Sequence, residues 1–339
     1  VPKADGGQRP IGIPVIEDKI VEKAMVAVLN QVYEEEFKNF SYGFRPGRHQ
    51  HKALDAVVVA LEKRPINWIL DADIQGFFDN LSHDWLLTFL RHRIADKRVL
   101  RLIKSWLKAG VLDDGTRISS DNVTPQGGSI SPLLANIYLH YVLDLWIDWW
   151  RKHKARGQVI IVRYADDFIV GFQHHEDATG FRSALEARLK KFNLSLNTSK
   201  TRLIEFGRHA RKDRANRGEG KPETFDFLGF THICARSPKG YFCVHRHTSN
   251  SRVRRKLKEL NEQLRYRRHW KVRDTGRWLR SVLIGHYRYY GVPYNWAKMF
   301  AFFNELVRAW FRQLIRRSHK RKVNWARMEI YKAAWLPLP

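Results

Sequence analysis

Four aspartates carry the chemistry this sequence could perform. Asp166 and Asp167 sit side by side in 158-QVIIVRYADDFIVGF-172, in the middle of an apolar run. Asp71 and Asp73 close another such run, 66-INWILDADIQGFFDN-80. Adjacent carboxylates repel, and desolvating either is costly unless something positive compensates. A turn that merely points two aspartates into water needs no compensation, so the second pair decides. Strand alternation puts Asp71 and Asp73 on one face. If the two strands are neighbours, three or four carboxylates converge at one end of a sheet. Magnesium relieves such a cluster, because it is a hard cation that takes carboxylate oxygens and shares phosphate ligands. Two metals about 3.5–4 Å apart activate a hydroxyl and stabilise the leaving oxygen of phosphoryl transfer. The residues alone therefore reach a nuclease or a polymerase.

The whole chain agrees with an acidic substrate. It has 339 residues, room for two or three domains, and 44% of them are hydrophobic, enough for a folded core. The formal charge is +27, which calls for a polyanion partner. No apolar run reaches the length of a spanning helix and no signal sequence opens the chain, so nucleic acid is favoured over an acidic membrane. The charge is uneven. From Arg246 onward there are 24 Lys/Arg against 5 Asp/Glu, while the first 245 residues hold 37 against 29. A chemistry-bearing body followed by a basic binding module fits this asymmetry. The two cysteines, Cys234 and Cys243, lack CxxC spacing and suggest a reducing, intracellular setting. Cys243, His245 and His247 share a strand face, a zinc-like set that short strands also reach by chance.

The elements follow from the patterning. The opening 1-VPKADGGQRPIGIP-14 reads as a short hairpin, and a helix follows with Asp18 as N-cap. The loop 41-SYGFRPGRHQ-50 leads into a helix over 51–64. Ser82 caps the helix after the Asp73 strand, and another lies near 98–110. A Gly/Pro loop, 124-TPQGGSISP-132, feeds a long buried helix to about residue 150. The YADD hairpin comes next, then a helix over 176–193, the strand LSLNTSKTRLIEFG and a basic loop over 207–222. Hairpins with a PKG turn fill 225–246, and three basic helices occupy 252–266, 274–291 and 296–318.

Seven blocks, RPIGIP, SYGFRPGR, DADIQGFFD, TPQGGSISPLLANIYL, YADDFIV, LNTSKT and FDFLGF, run in the order found in reverse transcriptases. The sequence resembles bacterial group II intron-encoded reverse transcriptase/maturases without an H-N-H endonuclease, from residue 1 to the end. The resemblance implies an α+β right-hand polymerase: fingers over 1–65, a palm with an antiparallel sheet over 66–247 (with a fingers-like helical insertion near 92–122), and a helical thumb and start of the maturase region over 248–339. It implies Asp73, Asp166 and Asp167 as ligands of two Mg2+ ions, with the Ile74 carbonyl adding an oxygen and Asp71 outside the shell. Phe78 would exclude a ribose 2′-OH, a place that Phe77 would leave to it by filling the core. Lys3 and Arg9 would hold the dNTP triphosphate, and Gln126, Gly127 and Gly128 would line the nucleotide. Lys200 would serve as general acid at the leaving pyrophosphate. Phe227, Leu228 and Gly229 would support the primer 3′ end, while Arg45 would touch the template or brace the fingers. The run 316-RRSHKRK-322 would grip intron RNA.

The implied function is RNA-directed DNA synthesis by a retroelement, from an RNA template and a DNA or RNA primer, with intron RNA binding for splicing. It would take place in a bacterial cytoplasm, in part at the nucleoid. Two other readings stand beside it: a splicing maturase with an idle polymerase, and a domesticated enzyme of host DNA repair or defence. Phe78 and the block order disfavour an RNA-dependent RNA polymerase. The N-terminal extension and downstream endonuclease of fuller family members are not in this sequence, which reads as a truncated form or fragment.

Overall fold

The computed structural model of the chain describes residues 12, 14–108, 111–113, 116–118, 128–317 and 323–339. The chain forms two compact units, residues 1–222 and 223–339.

The first unit opens with helices α1 (Ile16–Tyr33) and α2 (Gln50–Lys63). The N-cap of α1 is Val15 rather than Asp18, with no side-chain cap, so Asp18 lies inside the first turn, where a carboxylate favours the helix dipole. Strand β1 (Trp68–Ala72) follows, then α3 (His83–Arg91), whose cap is Ser82 as expected: its Oγ accepts from the Trp85 N–H at 3.4 Å. Helix α4 (Lys97–Lys108) leads to a small ribbon of β2 (Val111–Asp113) and β3 (Thr116–Ile118). The long helix expected up to residue 150 is interrupted. It runs as α5 (Ser131–Leu139), a π turn over His140–Asp144, and α6 (Leu145–His153).

Then come β4 (Val159–Tyr164), β5 (Asp167–Phe172), α7 (His175–Lys190), β6 (Arg202–Glu205) and α8 (Ala210–Asn216). Helix α8 occupies part of what the sequence suggested was loop. The four longer strands form one antiparallel sheet in the order β4-β5-β1-β6. Its core joins Leu70, Phe168 and Phe172 to Tyr138, Leu143 and Phe181 from the helices. β4 and β5 are nearly continuous apolar runs because most of their residues, on either face, are buried.

The second unit starts with a three-stranded antiparallel sheet of β7 (Phe225–Phe227), β8 (Phe230–Arg236) and β9 (Phe242–Thr248). The PKG turn joins β8 to β9, with Gly240 at φ +84°. Helices α9 (Asn250–Tyr266), α10 (Val272–Tyr290), α11 (Trp296–Ile315) and α12 (Trp325–Trp335) follow, the last not anticipated from the sequence. Their shared core is Leu260, Leu264, Leu279, Leu283, Phe302, Leu306, Trp310 and Met328. No helix among the described residues is long and apolar enough to cross a membrane.

Candidate active site

The acids come together through strand register. β1 and β5 pair from Trp68↔Phe172 to Ala72↔Phe168, so one further step sets Asp73 opposite Asp167, with Asp166 next in the turn. On the other side of β1, the Asn197 N–H donates to the Asp73 carbonyl at 2.8 Å and the Gln75 N–H to the Ser195 carbonyl at 2.9 Å. These bonds flank the Ile74↔Leu196 bridge. By the alternation of an antiparallel ladder, Ile74's own N–H and C=O turn the opposite way, to the side β5 occupies.

A lysine faces Asp73. The Asn197 carbonyl accepts from the Lys200 and Thr201 N–H groups, and this turn holds Lys200 Nζ 3.5 Å from Asp73 Oδ2. Both side chains are largely exposed, so the pair contributes little stability and exchanges readily. Asp71 is engaged elsewhere, 3.3 Å from Arg202 in the β1–β6 pair. Among the described residues, no three His, Cys, Asp or Glu side chains gather closely enough to hold a metal. The convergence expected of the acids lies in the backbone register and not in clustered carboxylates, which repel one another. The donor types nevertheless fit magnesium: three carboxylates at the ends of neighbouring strands and the Ile74 carbonyl turned toward β5 are all hard oxygens. The Cys243, His245 and His247 trio gathers no such site either, and His245 stacks on Tyr294 at 4.1 Å.

A buried network that sequence reading missed holds the YADD turn. Arg163 is fully buried, and its guanidinium grips both Asp144 oxygens, at 2.7 and 2.5 Å. Its Nη1 donates to the Ala165 carbonyl at 2.9 Å and to Asn136 Oδ1 at 3.0 Å. Ala165 stands at φ +58°, a left-handed conformation that costs an ordinary residue energy, and the arginine pins its carbonyl there. Asn136 in turn donates to the Gly43 carbonyl at 2.7 Å. A Cβ on Gly43 would stand 2.4 Å from the Ala165 nitrogen, so the SYGFRPGR loop lies directly against the turn. The Tyr42 N–H donates to the Arg163 carbonyl at 2.8 Å and the Arg163 N–H to the Phe40 carbonyl at 2.9 Å. The π turn is where Asp144 resides, a recurrent use of such bulges. The available signal was an arginine in the apolar VIIVRY run, which had to be paired if buried.

The remaining candidates separate by environment. Phe77 is buried among core rings, with Tyr138 at 6.2 Å, while Phe78 beside it is only half-buried. Phe78 packs against the same core, edge-on to Phe77 at 5.2 Å, and keeps part of its ring accessible. Arg45, expected to touch the template or brace the fingers, is held within its own loop and the end of α1. Its side chain is 3% exposed, pairs with Glu34 at 2.9 Å, donates to the Lys38 and Ser41 carbonyls, and lies over the Phe37 ring. Gly128 abuts the buried Glu22 carboxylate, which accepts from the Ser129 N–H. Lys3, Arg9, Gln126 and Gly127 lie outside the described residues, as does 318–322 of the basic run. Phe227 is buried at the end of β7, and Leu228 and Gly229 form the two-residue turn into β8.

Comparison with known proteins identifies the family and the fold. Residues 1–232 match the family described as reverse transcriptase (RNA-dependent DNA polymerase). Protein YkfC of Escherichia coli (strain K12) is 33% identical over 321 residues, covering 84% of this chain and 76% of YkfC. The group II intron-encoded protein LtrA of Lactococcus lactis subsp. cremoris is 40% identical over 152 residues. That match takes in 44% of this chain and 25% of LtrA, so the chain spans about a quarter of LtrA's length. Apo telomerase from Candida tropicalis, truncated from its C-terminal domain, has a similar fold at a TM-score of 0.50 and 13% identity, over 68% of this chain and 45% of that one. The fold is that of right-hand polymerases, and the chain belongs to the reverse transcriptase family.

Proposed function

We propose that this protein is an RNA-directed DNA polymerase that extends a primer 3′-OH with dNTPs on an RNA template, and that it also binds group II intron RNA to assist splicing. The observation that carries the reading is the register that sets Asp73 opposite Asp167, with Asp166 adjoining. Asp73, Asp166, Asp167 and the Ile74 carbonyl would hold two Mg2+ ions, which when bound would activate the primer hydroxyl and neutralise the triphosphate. Lys200, already turned to Asp73, is set to protonate the departing pyrophosphate. The exposed part of Phe78 crowds a ribose 2′-OH and so selects dNTPs. Lys3, Arg9, Gln126 and Gly127 complete the nucleotide site in this reading. The Phe227–Gly229 turn supports the primer end. Residues 1–65, 66–247 and 248–339 serve as fingers, palm and thumb with the start of the maturase region. The basic C-terminal stretch would bind the A-like hybrid through phosphates and shape.

Primer extension on an RNA template with dNTPs and Mg2+ tests this. Wild type should make cDNA, and Asp166→Ala/Asp167→Ala should make at least about 10³-fold less, as expected when a metal-held transition state is lost. Phe78→Val in the same assay should raise ribonucleotide incorporation. Tight, salt-sensitive RNA binding by a wild type that extends no primer would leave the splicing role alone.

A further inference from the structure

The turn between β7 and β8 is strained and clamped. Phe227 and Phe230 pair across it, and both intervening residues have positive φ, Leu228 at 49° and Gly229 at 81°. That is the signature of a type I′ turn, whose preferred sequence is Asn-Gly. Glycine takes this conformation freely, but leucine does not. Two hydrogen bonds reach in from outside the hairpin turn: the Ser249 N–H donates to the Gly229 carbonyl at 3.0 Å, and the Tyr289 hydroxyl donates to the Leu228 carbonyl at 2.9 Å. The Tyr289 ring is itself fixed, stacked on Phe230 at 5.9 Å and set edge-on to Tyr290 at 4.8 Å. Strain held by surrounding structure in this way belongs where a backbone must present itself in one geometry.

We propose that Tyr289 is a positioning residue for polymerisation. Its hydroxyl fixes the Leu228–Gly229 turn and, through it, the alignment of the primer 3′-hydroxyl for attack. The inference rests on the reading in which this turn supports the primer end. A small misplacement of a nucleophile costs rate without costing affinity.

Single-nucleotide incorporation by the full chain, on an RNA template with a DNA primer, dNTP and Mg2+, tests it. Tyr289→Phe keeps the ring and removes the hydroxyl. The rate per active enzyme should fall about 3–10-fold, the worth of one hydrogen bond, while affinity for the hybrid changes less than about 2-fold. Tyr287→Phe is the control. On the same helix, its hydroxyl donates to the Pro337 carbonyl at 3.1 Å, so the variant loses a like bond away from the turn and should keep the wild-type rate. In a Leu228→Asn background the turn holds its own conformation, and adding Tyr289→Phe should then cost little. An unchanged rate in Tyr289→Phe, an equal loss in Tyr287→Phe, or an undiminished loss in the Leu228→Asn background would each overturn the proposal. A wild type that extends no primer overturns the polymerase reading itself, a result the variants cannot imitate.

Discussion

At the residue scale the site depends on one buried cation. Arg163 makes four bonds, two to Asp144, one to Asn136 and one to the Ala165 carbonyl, with both charges shut away from water. Removing one partner of such a pair strands the other as a buried charge, at about 3–5 kcal/mol. Arg163→Lys keeps the charge but cannot reproduce the planar fork. We expect it to melt at least several degrees lower and to lose most primer extension, whereas Arg202→Lys, at the exposed pair with Asp71, should stay near wild type in both. Equal behaviour of the two variants in thermal unfolding and extension would remove Arg163 from this role. The acids were legible from the sequence because strand parity and an apolar frame are local properties. The partner of Arg163 was not, since Asp144 lies nineteen positions upstream and inside a π turn that no periodicity announces.

At the element scale, what counts is which backbones touch. The SYGFRPGR loop was readable as a loop, but its packing under the YADD turn was not, because a glycine in a Gly/Pro-rich stretch looks like any other turn residue. Gly43 is required there by space: a Cβ would meet backbone atoms of Ala165 and Tyr164 at 2.4 to 3.1 Å. Gly43→Ala must therefore displace the turn or the loop. The variant should bind template–primer with close to wild-type affinity and extend it at least about 10-fold more slowly, as a shifted aspartate pair demands. Gly47→Ala, with open space around it but φ at +67°, should affect stability by about 1 kcal/mol and leave the rate alone. Rate measurements on the two variants side by side check both statements.

At the scale of the whole molecule, the second unit carries an acid-sensitive core. Burial, and the nearby Arg246 charge, push the His232 imidazole down to about 3; burial, with a smaller effect of Lys256, pushes His286 down to about 4. Both rings stack on phenylalanines, His232 on Phe225 at 4.6 Å and His286 on Phe302 at 3.8 Å. The unfolded chain takes up protons near pH 6.5 that the folded unit refuses. Stability is therefore complete above that pH and drains away as pH falls toward 4 and then 3. The first unit adds a separate, lower window. Burial would raise Asp148, but Lys152, Lys38 and Arg151 outweigh it and hold the carboxyl at about 2, so its contribution fades only below about pH 4. Melting temperatures between pH 7 and 4.5 should thus decline, and His286→Phe, which keeps the ring stack, should flatten that decline. A slope unaltered by the substitution would assign the acid loss elsewhere. The strongly basic C-terminal stretch was plain in the sequence, but the burial of these two histidines was not, because a histidine in a strand or helix suits a surface as well as a core.

The contacts around Ala165 also bear on how such proteins can be recombined. Segments 41–48, 136–144 and 163–167 interlock through a carbonyl, a carboxylate and a missing methyl, so they form one structural unit scattered over more than a hundred positions. A chimera that exchanges the YADD hairpin alone would import a turn shaped for another loop. Crossovers that move all three segments together, or none of them, are the ones that leave the turn intact.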